Sequence, residues 1–317
     1  MKSLSFVIPA YNEAENIMTA IEKTDEAFSG SDARLNYIFV DDGSTDGTWR
    51  TLMRAAEADG RISGVRFSRN FGKEAAIFAG LSHARGDACI VMDCDLQHPP
   101  AAARRMYDLW RENPHVEIVE GIKRSRGDES LGSKLFAGVF YRFFNNAAGR
   151  DLTGSSDFKL LSRTAVDELL RLPERFTFFR ALSGWIGFET AQVEFDVEPR
   201  AGGETKWSFF RLLKYGISSV SSFSSAPMQI VTVCGLVFLL FTVILAVQTL
   251  WRFFSGQSLE GFTTVILILL FSGSIIMLSL GVIGYYVSRI YDELKRRPRY
   301  IVSGRINAEE KRDIMMP

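Results

Sequence analysis

The stretch ACIVMDCDLQHPP at residues 88–100 joins an uninterrupted apolar run to a turn that carries Asp93, Asp95 and Gln97. Such a run, closed by acidic residues and prolines, is typical of a strand buried on both faces. The three polar side chains offer several oxygen ligands in a small volume, which suits a hard cation such as Mg²⁺ or Mn²⁺. A lone D-x-D pair is equally typical of a solvated turn, so the interpretation depends on the neighbouring strands.

Earlier apolar runs alternate with helical patterns. Short β-rich runs lie at residues 4–8, 35–40 and 64–67, and a helix is predicted from about 73 to 84. Strands that are apolar on both faces and separated by amphipathic helices indicate a mostly parallel sheet covered on both sides. We therefore predict a Rossmann-like α/β domain over residues 1–200, with its ligands at the carboxyl ends of the strands.

The first two strand ends carry polar residues of different kinds. Residues 9–13 read PAYNE and lack the G-x-G-x-x-G turn that a dinucleotide fold requires. A dinucleotide-binding domain is therefore disfavoured. Residues 41–47 read DDGSTDG, and the paired carboxylates could accept hydrogen bonds from a base and a ribose hydroxyl. The alternative is a solvated turn in which Ser44 or Thr45 caps the next helix.

Composition excludes several classes of protein. Of the 317 residues, 47% are hydrophobic and 23% charged, and 37 basic side chains balance 37 acidic ones. This composition does not fit a disordered chain, a collagen or, with three Cys, a secreted disulfide scaffold. The balanced charge gives no support for nucleic-acid binding, so none is predicted. The spacing of the Cys residues fits neither a metal site nor a redox site.

Two long runs near the C-terminus, residues 215–251 and 261–288, contain no charged residue. Each holds enough apolar residues for a helix that spans a bilayer, which needs about 20. The alternative is a pair of buried core helices in a soluble protein. We predict two transmembrane helices within residues 227–288. The absence of ionisable residues in the spans argues against a pump or an ion pathway. Glycines in the second span are compatible with a homo-oligomer.

Basic residues flank this predicted hairpin on its outer sides, whereas the connection between the spans holds only Arg252. The positive-inside rule then predicts that the domain 1–200 and both termini, including the tail 289–317, are cytoplasmic. The first residues turn polar too soon for a signal peptide. We expect a multi-pass protein of the inner (cytoplasmic) membrane.

The juxtamembrane segment 201–226 has a helical pattern of its own. Apolar residues recur at spacings of three or four from Trp207 to Val220, and Arg211 and Lys214 lie on another face. This pattern predicts an amphipathic helix in the membrane interface, where basic residues attract anionic headgroups. The alternative is a core helix of the soluble domain.

The ordered motifs resemble those of a known family. The segments VIPAYNE (7–13), VDDGSTDGT (40–48), SRNFGKEAA (68–76) and MDCDLQHPP (92–100) resemble the family 2 inverting glycosyltransferases, which have the A-type glycosyltransferase (GT-A) fold. The segments GSSDFKLLSR (154–163) and GETKWSFFRLLKY (203–215), with the two spans, narrow the resemblance to polyprenyl-phosphate sugar transferases. Dolichol-phosphate mannose synthases belong to that group, as do the bactoprenol glucosyltransferases of O-antigen modification, which the chain resembles most.

The resemblance implies roles for individual residues. Asp93, Asp95 and Gln97 correspond to the segment around the metal and the diphosphate, and Asp157 to the aspartate usually called catalytic. Lys206 and Arg211 correspond to cationic contacts to the donor or the acceptor phosphate. The residues expected to contact the nucleotide are Pro9, Ala10, Tyr11, Glu13, Asp41, Asp42 and Asp93. Further cationic candidates, for each of which a plain surface charge is an alternative, are Arg69, Lys73, Arg124 and Arg126.

The expected activity is inverting transfer of a hexose to a polyprenyl phosphate. The resemblance favours UDP-glucose as donor and undecaprenyl phosphate as acceptor; another UDP-sugar, or GDP-mannose as in mannose synthases, is the alternative. The acceptor is a phosphate monoester whose second pKa is about 6, so it is already a nucleophile at neutral pH. Asp157 therefore need not act as a base, and positioning or an electrostatic role is the alternative.

Two other functional classes compete with this interpretation. A processive polysaccharide synthase would share the early motifs, but it would normally carry a Q-x-x-R-W motif and more spans, and this sequence has neither. A non-catalytic anchor or sugar-nucleotide binding module would tolerate loss of the carboxylates. Asp93, Asp95 and Asp157 are all present, which favours an enzyme.

Overall fold

The computed structural model of the protein describes residues 1–124, 155–173, 178–196, 226–255 and 261–308. These residues form two compact units. One consists of the described residues up to 196 together with 298–308, and the other of the described residues from 226 to 297.

The first unit is built on an eight-stranded sheet of order β7-β5-β6-β4-β1-β2-β3-β8. Its strands are β1 (Lys2–Ala10), β2 (Ala33–Asp41), β3 (Ile62–Phe67), β4 (Ala88–Val91), β5 (Ile118–Lys123), β6 (Ser155–Ser162), β7 (Thr190–Phe195) and β8 (Val302–Ile306). Strands β1 to β4 are mutually parallel, and β7 runs parallel to β5. This arrangement confirms the predicted α/β domain with a mostly parallel sheet.

Helices cover the sheet. They are α1 (Ile17–Ala27), α2 (Thr48–Ala58), α3 (Lys73–His83), α4 (Pro100–Glu112), α5 (Arg163–Arg171) and α6 (Phe179–Trp185). Helix α3 is buried almost throughout, from Ala75 to Leu81. It approaches β1 so closely that a Cβ on Gly80 would lie 2.3 Å from Cγ1 of Val7. The first residue of α3, Lys73, is thereby held at the carboxyl edge of the parallel strands.

Strand β6 runs against its neighbour β4. The antiparallel register pairs Ile90 with Leu160 and Val91 with Lys159. Continuing this register by two residues brings Asp93 opposite Asp157. Because β6 is antiparallel to β4, the start of β6 lies at the edge of the sheet where β4 ends. Two acidic motifs that are far apart in sequence meet there.

The C-terminal segment joins the first unit, a destination that the sequence analysis did not predict. Strand β8 pairs antiparallel with β3, and the ring of Tyr300 stacks on Phe67 with centroids 4.8 Å apart. Arg299 Nη2 donates a hydrogen bond to the carbonyl oxygen of Leu172 (2.9 Å). Residues that follow the predicted hairpin are thus part of the same folded unit as the N-terminal sheet.

The second unit contains helices α7 (Ala226–Phe254) and α8 (Phe262–Leu294). Both runs predicted as spans are helical. Within the described part of the chain, one segment, Phe271–Leu294, is long and apolar enough to cross a membrane, and Val233–Leu245 is a shorter apolar helix. The pair of transmembrane helices therefore stays a prediction. The predicted amphipathic segment lies outside the described residues, apart from the first residue of α7.

Candidate active site

The loops that follow β1 and β2 brace each other through side-chain hydrogen bonds. The backbone N–H of Asn12 donates to Oγ of Ser44, and Oδ1 of Asn12 accepts from the backbone N–H of Thr45, both at 2.9 Å. The N–H of Glu13 donates to Oγ1 of Thr48 (2.9 Å). These polar residues of the first two motifs fix the position of both strand ends.

Asp41 and Asp42 are buried acids held mainly by backbone amides. Oδ1 of Asp41 accepts from the N–H of Ser44 (2.8 Å), and Oδ2 lies 3.2 Å from Nε of Arg66. Asp42 accepts from the N–H groups of Phe71 (2.7 Å) and Gly72 (2.9 Å to Oδ2). Burial raises the pKa of Asp42, an effect that the two amide hydrogen bonds oppose without cancelling. The carboxylate of Asp42 thus ties the end of β2 to the start of α3.

Gly43 occupies a position that no other residue fits. Its φ is +72°, and a Cβ there would lie 2.4 Å from the carbonyl carbon of Arg69. Both the left-handed conformation and the close backbone approach require glycine. The second and third motifs are therefore packed against each other at Gly43.

A strained turn follows β4. Leu96 is buried and has a φ of +59°, which is rare for a residue other than glycine. Oδ1 of Asp95 accepts from the N–H of Gln97 (3.1 Å). This turn holds Asp93, Asp95 and Gln97 within one short loop at the strand end.

The buried side of this loop is held by His98. It is 4% exposed and stacks on Phe158 with centroids 4.7 Å apart. Its Nδ1 accepts from the backbone N–H of Asp93 (3.1 Å), and burial lowers its pKa. The neutral ring therefore supports the backbone of Asp93 from inside the turn.

Lys73 joins the β4 loop to β6. Its Nζ lies 2.6 Å from Oδ1 and 2.8 Å from Oδ2 of Asp93. The same Nζ lies 3.0 Å from Oδ2 of Asp157. A single ammonium group therefore bridges two acidic motifs that are separated by many residues in the chain.

Arg180, from α6, holds the other side of Asp157. Its Nε donates to Oδ1 (2.7 Å) and its Nη2 to Oδ2 (3.1 Å). Two cations thus contact one carboxylate whose side chain is only 8% exposed. Such charge-assisted, two-point contacts fix the carboxylate in one orientation.

The charged groups of this cluster shift the pKa values of one another toward the ionised form. Burial alone would raise the pKa values of Asp93 and Asp157, but Lys73 lowers both, and Arg180 lowers that of Asp157 further, so the net shift is downward. Burial would lower the pKa of Lys73, and the two carboxylates outweigh it, so that pKa is raised. All three groups are therefore charged at neutral pH.

Glu74 is a third acidic residue of the cluster. Its Oε2 accepts from the backbone N–H of Phe179 (2.8 Å), which fixes the start of α6. Burial and the negative charge of Asp157 raise the pKa of Glu74 to about 8. Glu74 is therefore largely protonated at neutral pH and adds little charge.

Behind the cluster, a buried lysine supports Arg180. Lys159 follows Asp157 by two residues in β6 and is fully buried. Its Nζ pairs with Glu120 and lies 3.5 Å from the carbonyl oxygen of Arg180. Burial lowers the pKa of Lys159, and Glu120 opposes that shift.

The other predicted residues lie in different places. Pro9 and Ala10 end β1, and Tyr11 follows with 47% exposure. Arg124 is exposed and pairs with Glu194 (3.1 Å), in contact with neither Asp93 nor Asp157. The cationic candidates that lie outside the described residues are Arg126, Lys206 and Arg211.

Arg180 and Glu74 were missed by the sequence analysis. Glu74 stands inside the quoted motif SRNFGKEAA, beside Lys73, so its place at a helix start could have marked it. Arg180 lies in the run FTFFR, which carries no recognisable spacing. Only the contact with Asp157 identifies it.

The oxygen ligands at the end of β4 fit a divalent cation only in part. Asp93, Asp95 and Gln97 supply hard oxygen donors in one turn. Among the residues that the structure describes, no group of three or more His, Cys, Asp or Glu could hold a metal ion. Such a cation would need further oxygen ligands, as from a diphosphate.

Comparisons with known proteins show which family and which relatives this chain resembles. The sequence model of glycosyl transferase family 2 matches residues 5–170. CsbB of Bacillus subtilis, a protein named as a glycosyltransferase, is 38% identical over 94% of this chain and 91% of its own length. The prophage bactoprenol glucosyl transferase homolog of Escherichia coli K12 is 33% identical over 94% of this chain and 98% of its own length. Among solved structures, glucosyl-3-phosphoglycerate synthase of Mycobacterium tuberculosis with Mn²⁺, UDP-glucose and phosphoglyceric acid is 20% identical, covering 70% of this chain and 79% of that chain with a TM-score of 0.47.

Proposed function

The chain belongs to glycosyl transferase family 2 and is a glycosyltransferase, and we propose that it transfers a hexose with inversion from a nucleotide sugar to a polyprenyl phosphate. The observation that carries this proposal is the meeting of Asp93 and Asp157 at one ammonium group, that of Lys73. It lies at the carboxyl edge of the parallel strands, where ligands of such sheets bind. Relatives named bactoprenol glucosyl transferases align with nearly the whole chain, which supports a lipid-linked acceptor.

The donor site is proposed along the ends of β1, β2 and β4. The nucleoside would contact residues 9–13 and the Asp41–Asp42 pair, and the diphosphate would lie near Asp93, Asp95 and Gln97. A Mg²⁺ or Mn²⁺ ion held there with the diphosphate oxygens would stabilise the negative charge of the leaving group. The protein's own part is to present hard oxygen ligands on a rigid turn.

We propose that Asp157 positions cations and does not accept a proton. The acceptor phosphate needs no deprotonation at neutral pH, because its second pKa is about 6. Both oxygens of Asp157 are already bound, one by Arg180 and the other by Lys73 and Arg180. A carboxylate held in this way is a weak base, but it keeps two cations where phosphates must bind.

A parity argument supports the proposed membrane topology. Residues on both sides of the apolar helices belong to one folded unit, since β8 pairs with β3. If α8 crosses the bilayer, the chain must cross an even number of times between the two parts. Helix α7 is the available partner, which supports a two-span hairpin with the catalytic domain and strand β8 on the same side of the membrane. The basic residues that flank the hairpin favour the cytoplasm as that side.

The donor sugar is proposed as glucose from UDP-glucose, with undecaprenyl phosphate as the acceptor and a lipid-linked glucose for cell-envelope glycosylation as the product. The names of the relatives at 32–33% identity support this choice. Sugar specificity depends on a few hydroxyl contacts. Other UDP-hexoses and GDP-mannose are therefore included in the test.

The test uses the purified full-length protein in detergent with Mg²⁺, undecaprenyl phosphate and a panel of labelled nucleotide sugars. A glycolipid formed from UDP-glucose is the expected product. Polymer would indicate a processive synthase, and binding without turnover would indicate a binding module. The Asp157→Asn variant is the control for turnover by contaminating enzymes.

A further inference from the structure

Lys73 occupies an unusual place for a cation in a proposed metal site. Its ammonium group contacts both oxygens of Asp93, at 2.6 and 2.8 Å. Asp93 is also a proposed ligand of the divalent cation. The negative charge that would attract a metal ion is therefore already neutralised by the protein itself.

The two carboxylates that Lys73 bridges are not equivalent. Asp157 has a second cation, Arg180, at 2.7 Å. Within the described parts of the chain, Lys73 is the only Lys or Arg at ion-pair distance from Asp93. His98 does not replace it, since its Nδ1 accepts the N–H of Asp93 and burial lowers its pKa. Displacement of Lys73 would leave Asp157 paired with Arg180 and would make Asp93 available to another cation.

Lys73 is also partly exposed to solvent and makes a simpler contact than Arg180, whose side chain is 35% exposed. The side chain of Lys73 is 41% exposed, whereas those of Asp93 and Asp157 are 25% and 8% exposed. A lysine ammonium on a flexible stem can change partners in water at low cost, unlike the planar, two-point contact that Arg180 makes. Of the two cations, Lys73 is the one suited to exchange.

We propose that Lys73 is the built-in counter-ion of Asp93 and makes divalent-cation binding depend on the donor nucleotide. This inference rests on the proposed function. Without nucleotide, a divalent cation at Asp93 would face the ammonium charge of Lys73 and bind weakly. The diphosphate of the donor supplies negative charge for both the divalent cation and the ammonium group of Lys73. Lys73 can then leave Asp93 and pair with phosphate oxygens.

Thermodynamic linkage makes this inference measurable. If nucleotide strengthens cation binding by some factor, the cation must strengthen nucleotide binding by the same factor. Replacing Lys73 by a neutral residue of similar length removes the competing charge. Cation binding to the nucleotide-free protein should then tighten, and the coupling should shrink.

The experiment titrates Mn²⁺ into the full-length protein with and without UDP and measures free Mn²⁺ by electron paramagnetic resonance. For the unaltered protein we expect UDP to tighten Mn²⁺ binding at least about tenfold, within the usual range of coupling between sites. In Lys73→Met, Mn²⁺ without UDP should bind about tenfold more tightly and the effect of UDP should fall to about threefold or less. Lys73→Arg should keep the coupling.

Lys23→Met is the matched control, because Lys23 is exposed on α1 and its removal lowers the net charge equally. It should leave both Mn²⁺ affinities unchanged. Thermal unfolding of each variant confirms that it is folded. An unchanged Mn²⁺ affinity in folded Lys73→Met would overturn the inference while leaving the transferase proposal intact. Failure of the unaltered protein to bind Mn²⁺ even with UDP would overturn the proposed metal-assisted donor site as well.

Discussion

Two pairs of acidic residues lie at the same edge of the sheet and have different partners. Asp41 and Asp42, at the end of β2, accept hydrogen bonds from the backbone N–H groups of Ser44, Phe71 and Gly72. Asp93 and Asp157, at the adjacent ends of β4 and β6, contact the side-chain cations of Lys73 and Arg180. Backbone amides hold a loop in place, whereas side-chain cations can be shared with a ligand.

The difference is also electrostatic. Burial dominates at Asp42 and raises its pKa, whereas Lys73 overcomes burial at Asp93 and Asp157 and lowers theirs. The first pair thus mainly holds the loops of the proposed nucleoside site in place, and the second is a charge cluster open to an anionic substrate. The Asp→Asn substitution should accordingly reduce turnover at Asp157 and mainly affect stability at Asp42.

The largest effect is expected for Asp157→Asn. An amide cannot neutralise Lys73 and Arg180, so both cations lose their fixed positions near the reacting phosphates. We expect kcat to fall by about a thousandfold or more, as for loss of a preorganised electrostatic group. Glycolipid formation measures turnover, and titration with UDP should show nucleotide binding largely retained. Near-normal turnover would refute the assignment of Asp157 to the reacting centre.

Gly43→Ala should give the next largest effect, on stability. A Cβ would lie 2.4 Å from the backbone of Arg69 at a φ of +72°. We expect the free energy of unfolding to fall by about 3 kcal/mol or more, because both strain and steric overlap act there. Gly30→Ala is the matched control, since Gly30 has the same φ but nothing within 4 Å of the added Cβ. Equal losses in the two variants would mean that the close approach is not important.

Substitution of Asp42 should affect stability more than chemistry. Asp42→Ala leaves the N–H groups of Phe71 and Gly72 without a protein acceptor, at a cost of about 2 kcal/mol. Asp42→Asn should cost about 1 kcal/mol or less, because its amide oxygen can still accept. Urea unfolding measures both. A loss of turnover in Asp42→Asn like that of Asp157→Asn would remove the distinction between the two acidic pairs.

The sequence predicted the edge of the sheet better than the contacts made there. Apolar runs and helical spacing located β1 to β4 and the start of α3 to within a few residues. The meeting of Asp93 and Asp157 depended on the resemblance, because the reversal of β6 is a long-range pairing that no local pattern specifies. Arg180 was missed because a single arginine in an aromatic run has no periodicity.

The strand pairing of the C-terminal segment is likewise long-range and is not specified by any local pattern. The residues PRYIV after the second predicted span have the composition of an extended strand. They do not indicate which strand of the sheet this segment pairs with. Pairing with β3 depends on an edge left open by the rest of the sheet, and on the Tyr300–Phe67 stack. Charge-free runs, in contrast, predicted the two long helices directly, because length and hydrophobicity are local properties.

The last comparison concerns Glu74, which combines features of both acidic pairs. Like Asp42 it accepts a backbone N–H, that of Phe179, and it lies in the cluster of Asp157, Lys73 and Arg180. Burial and Asp157 raise its pKa from 4.5 to about 8, so the folded protein binds a proton more tightly than the unfolded chain does. Its contribution to stability is therefore complete below about pH 4.5 and is lost as the pH rises through about 8. Glu74→Gln keeps an acceptor for Phe179 and cannot ionise, so it should remove a decline in unfolding free energy of about 3 kcal/mol or more between pH 5 and 8. Urea unfolding across that range tests this expectation, and parallel pH profiles for the two proteins would show that Glu74 ionises normally and belongs with neither pair.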